Sequence, residues 1–494
     1  MNTKALRQKV LDLAIHGKLV PQNPNDESAT VLLEKIRAEK AEKIKKGELK
    51  ADKKDSFIFV GSDKRHYEQF ADGTVKDIED EIPFDVPEGW AWCRLSMMVS
   101  ELGDGLHGTP HYNSKGQYFF VNGNNLANGK IEIKDDTKRV DDSEYQKYKK
   151  SLSNNTILVS INGTLGNVAF YNNEPIILGK SACYFNLLIS ELKQYCFYFL
   201  ISDYFKKYAE ENATGSTIKN VSLQSMRSLL IPLPPLNQQE RIITAIEKAI
   251  TKIDFLEQNQ SDLQTAIKQA KSKILDLAIH GKLVPQDPND EPAEELLKRI
   301  ATSDNRPYKK IDDAEVLFDI PKSWSWCTLG EIYTHTTGKA LKKTNNKGTL
   351  RKYITTSNLY WNSFDFTEVR EMYFTDDELE KCTIKKGDLI LCNGGDVGRA
   401  AIWNYDYDIC YQNHVSRLRP KNENINNSFF LYVIMIYKQQ GMLNGKGVGI
   451  TSLSASDLLS AVVPLPPYSE QYRIVAKIEE LFKQLDIIQN ELVM

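Results

Sequence analysis

From Asn237 to Gly281 the chain runs without a proline or an internal glycine, and its apolar residues fall at Ile246, Ile250, Ile253, Leu256, Leu263, Ile267, Ala270, Ile274 and Leu277. Steps of three and four sustained over this distance predict one long helix with a coiled-coil seam. Gly281 supplies a left-handed C-cap and Pro285 follows it, which sets the stop. At 1.5 Å per residue such a helix is on the order of 65 Å long, more than a compact domain needs, so it is expected to act as a spacer. The pattern recurs in two pieces. From Ser469 the stretch SEQYRIVAKIEELFKQLDIIQNEL matches its first part, and ALRQKVLDLAIHG, ending at Gly17, matches its last. Placed end to end the pieces rebuild the element. The two seams are then expected to pair antiparallel with the chain termini meeting; the plainer alternative is an N-terminal helix that only caps the first lobe.

Between these helical segments the pattern changes to short runs rich in Ile, Val, Tyr and Phe, broken by turns such as Asp104-Gly105, Asn162-Gly163 and Gly394-Gly395. Such runs predict strands, with helices around Tyr195 to Glu211 and Ser428 to Gln440. The expectation is an α+β fold of two mostly β lobes. They are copies of one another. LDLAIHGKLVPQ occurs at Leu11 to Gln22 and again, letter for letter, at Leu275 to Gln286. DVPEGWAWCRL from Asp85 answers DIPKSWSWCTL from Asp319, TILVSINGTLGNVAF from Thr156 answers DLILCNGGDVGRAAI from Asp388, and IPLPPLNQQERI from Ile231 answers VPLPPYSEQYRI from Val463. Self-similarity on this scale is a duplication, not a solenoid of roughly 20- to 50-residue repeats. The first echo is displaced further than the tryptophan echo, 275 − 11 against 319 − 85, so the first linker is the longer. Most of its excess lies in RAEKAEKIKKGELKADKKDS, which reads either as a solvated helix or as a phosphate-binding arm.

Composition narrows the function classes. The 494 residues carry a formal charge of −3, so any nucleic-acid surface has to be a local patch. No run approaches the roughly 18 apolar residues of a membrane span and the N-terminus has no signal-peptide stretch, so a soluble cytoplasmic protein without membrane contact is expected. The seven cysteines stand alone in apolar contexts, which favours buried reduced thiols. A phosphate loop of the GxxxxGK[ST] type is absent, as are HExxH, paired CxxC and any spaced histidine cluster. His16 and His280 occupy the same place in the repeat, at helix ends, and read as structural. The LPPL and LPPY strings at Leu233 and Leu465 lack the polar first residue that an amino-group methyltransferase motif needs to hold its target amine. Asp388 and Asp396 flank one hairpin, but their first-lobe counterparts are Thr156 and Thr164, so a nuclease centre there would leave one lobe dead. No catalytic, cofactor-binding or metal-ligating residue is expected in this chain.

Two matched, diverged lobes on a spacer suit recognition of a bipartite target. Half-sites one helical turn apart on duplex DNA lie roughly 34 Å centre to centre, within reach of such a helix. Base edges are read by Asn, Gln, Arg, Lys, Ser and Thr, while phosphates are held by Lys, Arg and hydroxyls. In the first lobe the loop candidates are Thr109, His111, Asn122, Asn124, Asn125, Lys180, Ser181, Thr217 and Lys219. The second lobe offers Lys339, Lys342, Lys343, Thr356, Ser357, Asn358, Arg399, Gln412, Asn413, His414, Lys446 and Thr451. For any one of them, ordinary turn chemistry and solubility is the competing explanation.

The order GKLVPQ, WxW, a TILVSINGTLGNVAF-type hairpin, IPLPPLxxQERI and a long helix, all present twice, resembles the specificity subunit of Type I restriction-modification systems over nearly the whole chain. The resemblance implies two pseudo-symmetric target-recognition domains (86–235 and 320–467), each reading one half of an interrupted double-stranded DNA sequence. They would be separated by a pair of long antiparallel coiled-coil-like helices: 236–281, and 468–494 completed by the N-terminal helix of 1–85, with 282–319 as a linker. It also implies two modification subunits and further restriction subunits as partners, which would carry S-adenosylmethionine, ATP and Mg. Gln239, Glu240, Arg241, Gln471 and Arg473, early in the helices, would serve partner docking as well as spacing. Charged residues at that place also cap a helix and complement its dipole, so both roles stay open. A non-catalytic scaffold gripping proteins instead of DNA is the alternative.

Overall fold

The structure is a computed structural model that describes residues 2–51, 55–341, 347–443 and 452–493. The chain divides into two compact bodies, residues 2–259 and 260–494. One helix, Leu236–Ile279, begins in the first and ends in the second, close to the bounds that the periodicity predicts.

Within the first body the core sheet is antiparallel, with strands in the order Val168–Phe170, Thr156–Ser160, Ala182–Leu187 and Val99–Asp104. Its central strand TILVS is buried at every position, which is why its middle, Ile157 to Val159, is apolar on both faces with no alternation. A smaller sheet sets Ile176–Leu178 parallel to Tyr118–Val121, with Arg139–Val140 antiparallel on the other edge. The lobe is closed by its own two ends. Strand Ala91–Arg94 of the WxW segment pairs with Leu230–Leu233, placing Trp92 opposite Pro232 and Cys93 opposite Ile231. Helices Lys193–Leu200 and Asp203–Glu211 cover the core.

The second body repeats this plan. Ala400–Ile402, Leu389–Cys392, Val415–Pro420 and Tyr333–Thr337 form the core sheet, and Ile409–Tyr411 lies parallel to Thr349–Ile354 in the smaller one. Ser325–Thr328 pairs with Val462–Leu465 to close the lobe, and Asn427–Gln439 is the covering helix. The α+β, duplicated reading therefore holds in each body taken by itself.

The long helix has a neighbour in each body. In the first, helix Thr3–Ile15 sends Arg7 to Asp254 and Glu257, and Leu11, Ala14 and Ile15 share a core with Ile242 and Ile246. In the second, helix Tyr468–Val493 brings Asp486 to Lys271 at 2.5 Å, and its Ile474 and Ile478 join Leu275 and Ile279 in the core.

The identical LDLAIHGKLVPQ copies have a physical reason. Gly17 ends its helix at φ 66°, with its N–H bonded to Ala14 and that of Lys18 to Leu13; Gly281 does the same at φ 63°, with Ala278 and Leu277. This is the left-handed cap that glycine adopts without strain. A Cβ at either glycine would run into a proline ring, Pro87 or Pro321, and press on Trp90 or Trp324 at 3.1 Å. Gln22 and Gln286 then donate to the Gly17 and Gly281 carbonyls at 2.8 and 3.2 Å. His16 and His280 bond the Asp12 and Asp276 carbonyls at 2.7 Å and pack their rings against Phe84 and Phe318, a structural task in both copies. Gly281→Ala is expected to destabilise the second body by about 1–3 kcal/mol through strain and overlap. Gly47→Ala, at φ 75° but with open space around it, should lose less; equal drops in melting temperature would refute the packing part of this account.

The lysine-rich first linker is more than a charged tether. Its first part is helix Ala29–Lys45, and beyond it Ser56–Val60, His66–Phe70 and Val75–Asp77 form a three-stranded antiparallel sheet. Sequence missed this sheet because a lone meander of five- and three-residue strands has little pattern of its own. Phe57 packs it against the core of the lobe, and Arg94, at the end of the WxW strand, ties it down by donating to Glu68 at 2.8 Å, Glu81 at 2.6 Å and the Ser228 carbonyl at 2.8 Å. The second lobe has Thr328 at the equivalent place in the WxW segment.

Candidate nucleic-acid interface

Loops far apart in sequence meet at one end of each β core. In the first lobe the turn after the central strand bonds on both sides, Ile161 N–H to Ser181, Val221 N–H to Ile161 and Gly163 N–H to Lys219, at 2.8–3.0 Å. Lys180 N–H reaches Leu106 at 3.1 Å, and the short turn at Gly123–Asn125 is tied in by Gly123 N–H to Ser181 Oγ (2.9 Å) and Ser181 Oγ–H to Asn122 Oδ1 (3.0 Å). The result is a continuous rim built from backbone bonds and the Ser181–Asn122 side-chain link.

The second lobe forms the same rim. Asn393 N–H bonds His414, Leu453 N–H bonds Asn393, Asn413 N–H bonds Lys339, and Arg399 reaches back to the Thr356 carbonyl at 2.7 Å. A Cβ at Gly394 would lie 2.8 Å from the ring of the exposed His414 and would push that side chain aside.

Placement sorts the candidates. Thr109, His111, Asn124, Lys180, Thr217 and Lys219 are exposed on the first rim, with Asn122 and Ser181 half-buried. On the second, Ser357 and His414 are exposed, and Thr356, Arg399, Gln412 and Asn413 are half-buried. Asn125 and Asn358 are placed otherwise, as a buried matched pair. Asn125 accepts from Asn122 N–H and donates to Glu132 and Thr137, and Asn358 accepts from Thr355 N–H and donates to Asp365 and Glu368. They shape the rim from beneath. Lys339 is also beneath it, its ammonium donating to the Tyr373 carbonyl at 2.7 Å and to Glu378 at 2.5 Å beside the Phe374 ring. Lys342, Lys343, Lys446 and Thr451 lie outside the described residues.

Two rim groups escaped the sequence reading. Lys206 and Lys438 come from the covering helices and lie against Gly166 and Gly398, at 3.6 and 3.5 Å from a notional Cβ. Their shared offset with the hairpin repeat was the available signal. Asp388 is buried and paired with Arg419 at 2.6 and 2.7 Å, so it braces the strand. Asp396 sits on the rim turn.

The residues proposed for docking mark where each long helix starts. Gln239 and Gln471 are buried and donate to the Pro234 and Pro466 carbonyls at 2.9 and 3.1 Å, and Gln471 also accepts from Asn426 N–H. Arg241 and Arg473 donate to Asp26 and Asp290 of the acidic turn after GKLVPQ, at 2.5 and 2.6 Å. Glu240 is exposed.

Beside them the lobes differ by one atom type. Trp90 Nε1–H donates to Gln238 at 3.0 Å, whereas Trp324 Nε1–H donates to Glu470 at 2.9 Å. Burial pushes the Glu470 carboxyl above its ordinary range, although Trp324 and Gln286 both pull it down. A raised carboxyl contributes stability that is fully present below the unfolded-state value and lost as pH rises through the folded one. Glu470→Gln is therefore expected to become more stable than the parent as pH rises out of the acid range, with a constant gap above it. Parallel melting-temperature curves across that range would refute the account.

All seven cysteines are free and buried, and burial lifts Cys196 to about 12 and Cys392 and Cys410 to about 11, so these thiols stay protonated. Among the described residues no group of three or more His, Cys, Asp or Glu is set to hold a metal, and no helix is long and apolar enough to cross a membrane.

A family model described as "Type I restriction modification DNA specificity domain" matches residues 107–265 and 321–493, one match per lobe. The chain is 27% identical to the Type I restriction enzyme EcoAI specificity subunit of Escherichia coli, covering 97% of this chain and 89% of that one. It is 24% identical to the EcoEI specificity subunit of Escherichia coli over 99% and 90%. Among solved structures, the HsdS subunit from Thermoanaerobacter tengcongensis aligns with a TM-score of 0.50 at 17% identity, covering 83% of this chain and 94% of that one, a likeness of fold.

Proposed function

The chain belongs to the Type I restriction-modification DNA specificity family, and from that membership we propose that it is the subunit that chooses the DNA sequence for a methyltransferase and endonuclease complex. Each lobe reads one half of an interrupted, asymmetric duplex target through its rim, residues 86–235 supplying one reader and 320–467 the other. The observation that carries this reading is that the two rims share one backbone plan but present different polar side chains. Asn124, Lys180 and Lys219 stand on the first, and Ser357, Gln412 and His414 on the second. A common frame with exchanged hydrogen-bonding groups is what reading two different sequences requires.

The long helix sets the spacing between the halves, and the N-terminal and C-terminal helices together complete its antiparallel partner. Two modification subunits dock along these helices, with Glu240 facing them and Gln239, Arg241, Gln471 and Arg473 fixing the helix starts that they grip. The assembly recruits restriction subunits. S-adenosylmethionine, ATP and Mg are bound by those partners, and the complex works on chromosomal DNA in the cytoplasm.

Methylome sequencing of cells with and without the gene tests the reading, and loss of one bipartite methylation motif is expected. Binding of the assembled complex to duplex DNA should weaken steeply with salt, with a log-log slope of about −0.9 per phosphate neutralised. An unchanged methylome together with a flat salt response would favour a protein-binding scaffold.

A further inference from the structure

We propose that Asp396 is a specificity-determining residue of the second lobe, accepting a hydrogen bond from the exocyclic amino group of a cytosine in the major groove. The proposal rests on the DNA-reading role argued above and adds the base that one position of the target must carry.

Asp396 lies on the rim turn between strands Leu389–Cys392 and Ala400–Ile402, and its side chain is 48% exposed. One carboxylate oxygen takes the Lys438 ammonium, which also donates to the Val397 carbonyl at 2.5 Å. The other oxygen faces Arg399 at 3.4 Å, and Arg399 is itself anchored on the Thr356 carbonyl at 2.7 Å and lies 5.3 Å from the centre of the Tyr360 ring. Two consequences follow. An unpaired carboxylate on a DNA-facing rim would be repelled by phosphates, but here two cations offset its charge at the site. They also fix its orientation, because Lys438 comes from the covering helix and Arg399 is held from the neighbouring turn.

An ionised carboxylate accepts only, with about four lone-pair sites on its two oxygens. Two are engaged by the cations, so acceptor capacity remains on an exposed edge. In the major groove guanine offers two acceptors and thymine an acceptor and a methyl group, all of which an acceptor-only group rejects. Adenine has an amino group, but beside it stands the ring acceptor N7, which repels the second oxygen. Cytosine offers its amino group alone and is the base that such a group prefers.

The first lobe lacks this device. Thr164 holds the position of Asp396, Asn167 that of Arg399, and Lys206 that of Lys438; Lys206 turns to Asp203 of its own helix at 3.7 Å. A hydroxyl both donates and accepts, so the first half-site carries no such requirement.

The test uses the full complex with its modification subunits and measures methylation of duplexes bearing each base at every position of both half-sites. The parent complex should require cytosine at one position of the half-site that Ser357 and His414 substitutions alter. Asp396→Ala should relax that preference about ten- to a hundredfold, and Asp396→Asn should shift it towards adenine, which an amide matches with both its groups. All other positions should stay within about threefold, with an unchanged melting temperature and a first half-site identical to the parent's. Unchanged base preference in both variants would overturn the proposal. So would an equal loss at every position, the result expected if Asp396 only ties the covering helix to the turn. A parent complex that methylates no bipartite motif would instead overturn the DNA-reading role itself.

Discussion

Replacing Ser357, Gln412 and His414 together with alanine is expected to abolish recognition of one half of the target and leave the other half as it was. A good side-chain-to-base pairing is worth about 1–3 kcal/mol of discrimination, so removing three readers should lower specific affinity at least a hundredfold. The three side chains sit on the loops around 355 and 412, whose frame is made of backbone bonds, the buried Asn358 and Arg399, none of which the substitutions remove. The body should therefore keep its melting temperature. Because none of the three is a lysine or arginine, the salt dependence of the remaining, non-specific binding should be unchanged. Replacing Lys180 and Lys219 of the first rim should reduce the log-log slope by about 0.9 for each phosphate that is no longer neutralised. Methylation of half-site duplexes at several salt concentrations reads both effects. Loss of both halves after the triple substitution would mean that the rims are not independent readers.

The second large effect concerns stability. Arg94→Met should destabilise the first body by about 3–5 kcal/mol, because it leaves the Glu68 carboxylate buried without its cation. Glu68 is 5% exposed and, among the described residues, its side-chain partner besides Arg94 is the Ser56 hydroxyl at 2.5 Å. Replacing both members with apolar groups, Arg94→Met with Glu68→Leu, should recover most of the loss, since a buried pair gains little over well-packed hydrophobic residues. Urea unfolding of the single and double variants measures this, and protease cleavage within 56–77 should appear in the single variant first. A double variant no more stable than the single would show that Arg94 acts through Glu81 and the Ser228 carbonyl and not through Glu68.

Much of the molecule was legible in the residue order. The helix from Leu236 could be traced because a steady step of three and four is a local property, and Gly281 marks its stop by a backbone angle that other residues adopt only with strain. Duplication was legible because LDLAIHGKLVPQ keeps every letter, and its reason emerged only with Pro87 and Pro321 packed against the two glycines. Family membership was carried by the same doubled motifs. The small sheet at Ser56–Asp77 was illegible because it is held by groups from elsewhere in the chain, Arg94 and the core against which Phe57 packs, and not by its own pattern.

At the rims the division is sharper. Composition and turn signals named the loops, but Lys339, Asn125 and Asn358 read the same as Lys180 and Asn124 when only their neighbours in sequence are known. Which of these faces solvent is set by strands that arrive from elsewhere. Lys339 is covered because the segment from Tyr373 to Glu378 supplies a carbonyl and a carboxylate for its ammonium, while Lys180 stands exposed on its rim. By itself, then, the sequence determined what depends on local periodicity and internal identity: two copies, one long helix, mostly β lobes and the absence of familiar catalytic motifs. Tertiary structure alone decided which polar groups are buried and satisfied and which are left to read, because desolvation depends on residues brought together from far along the chain.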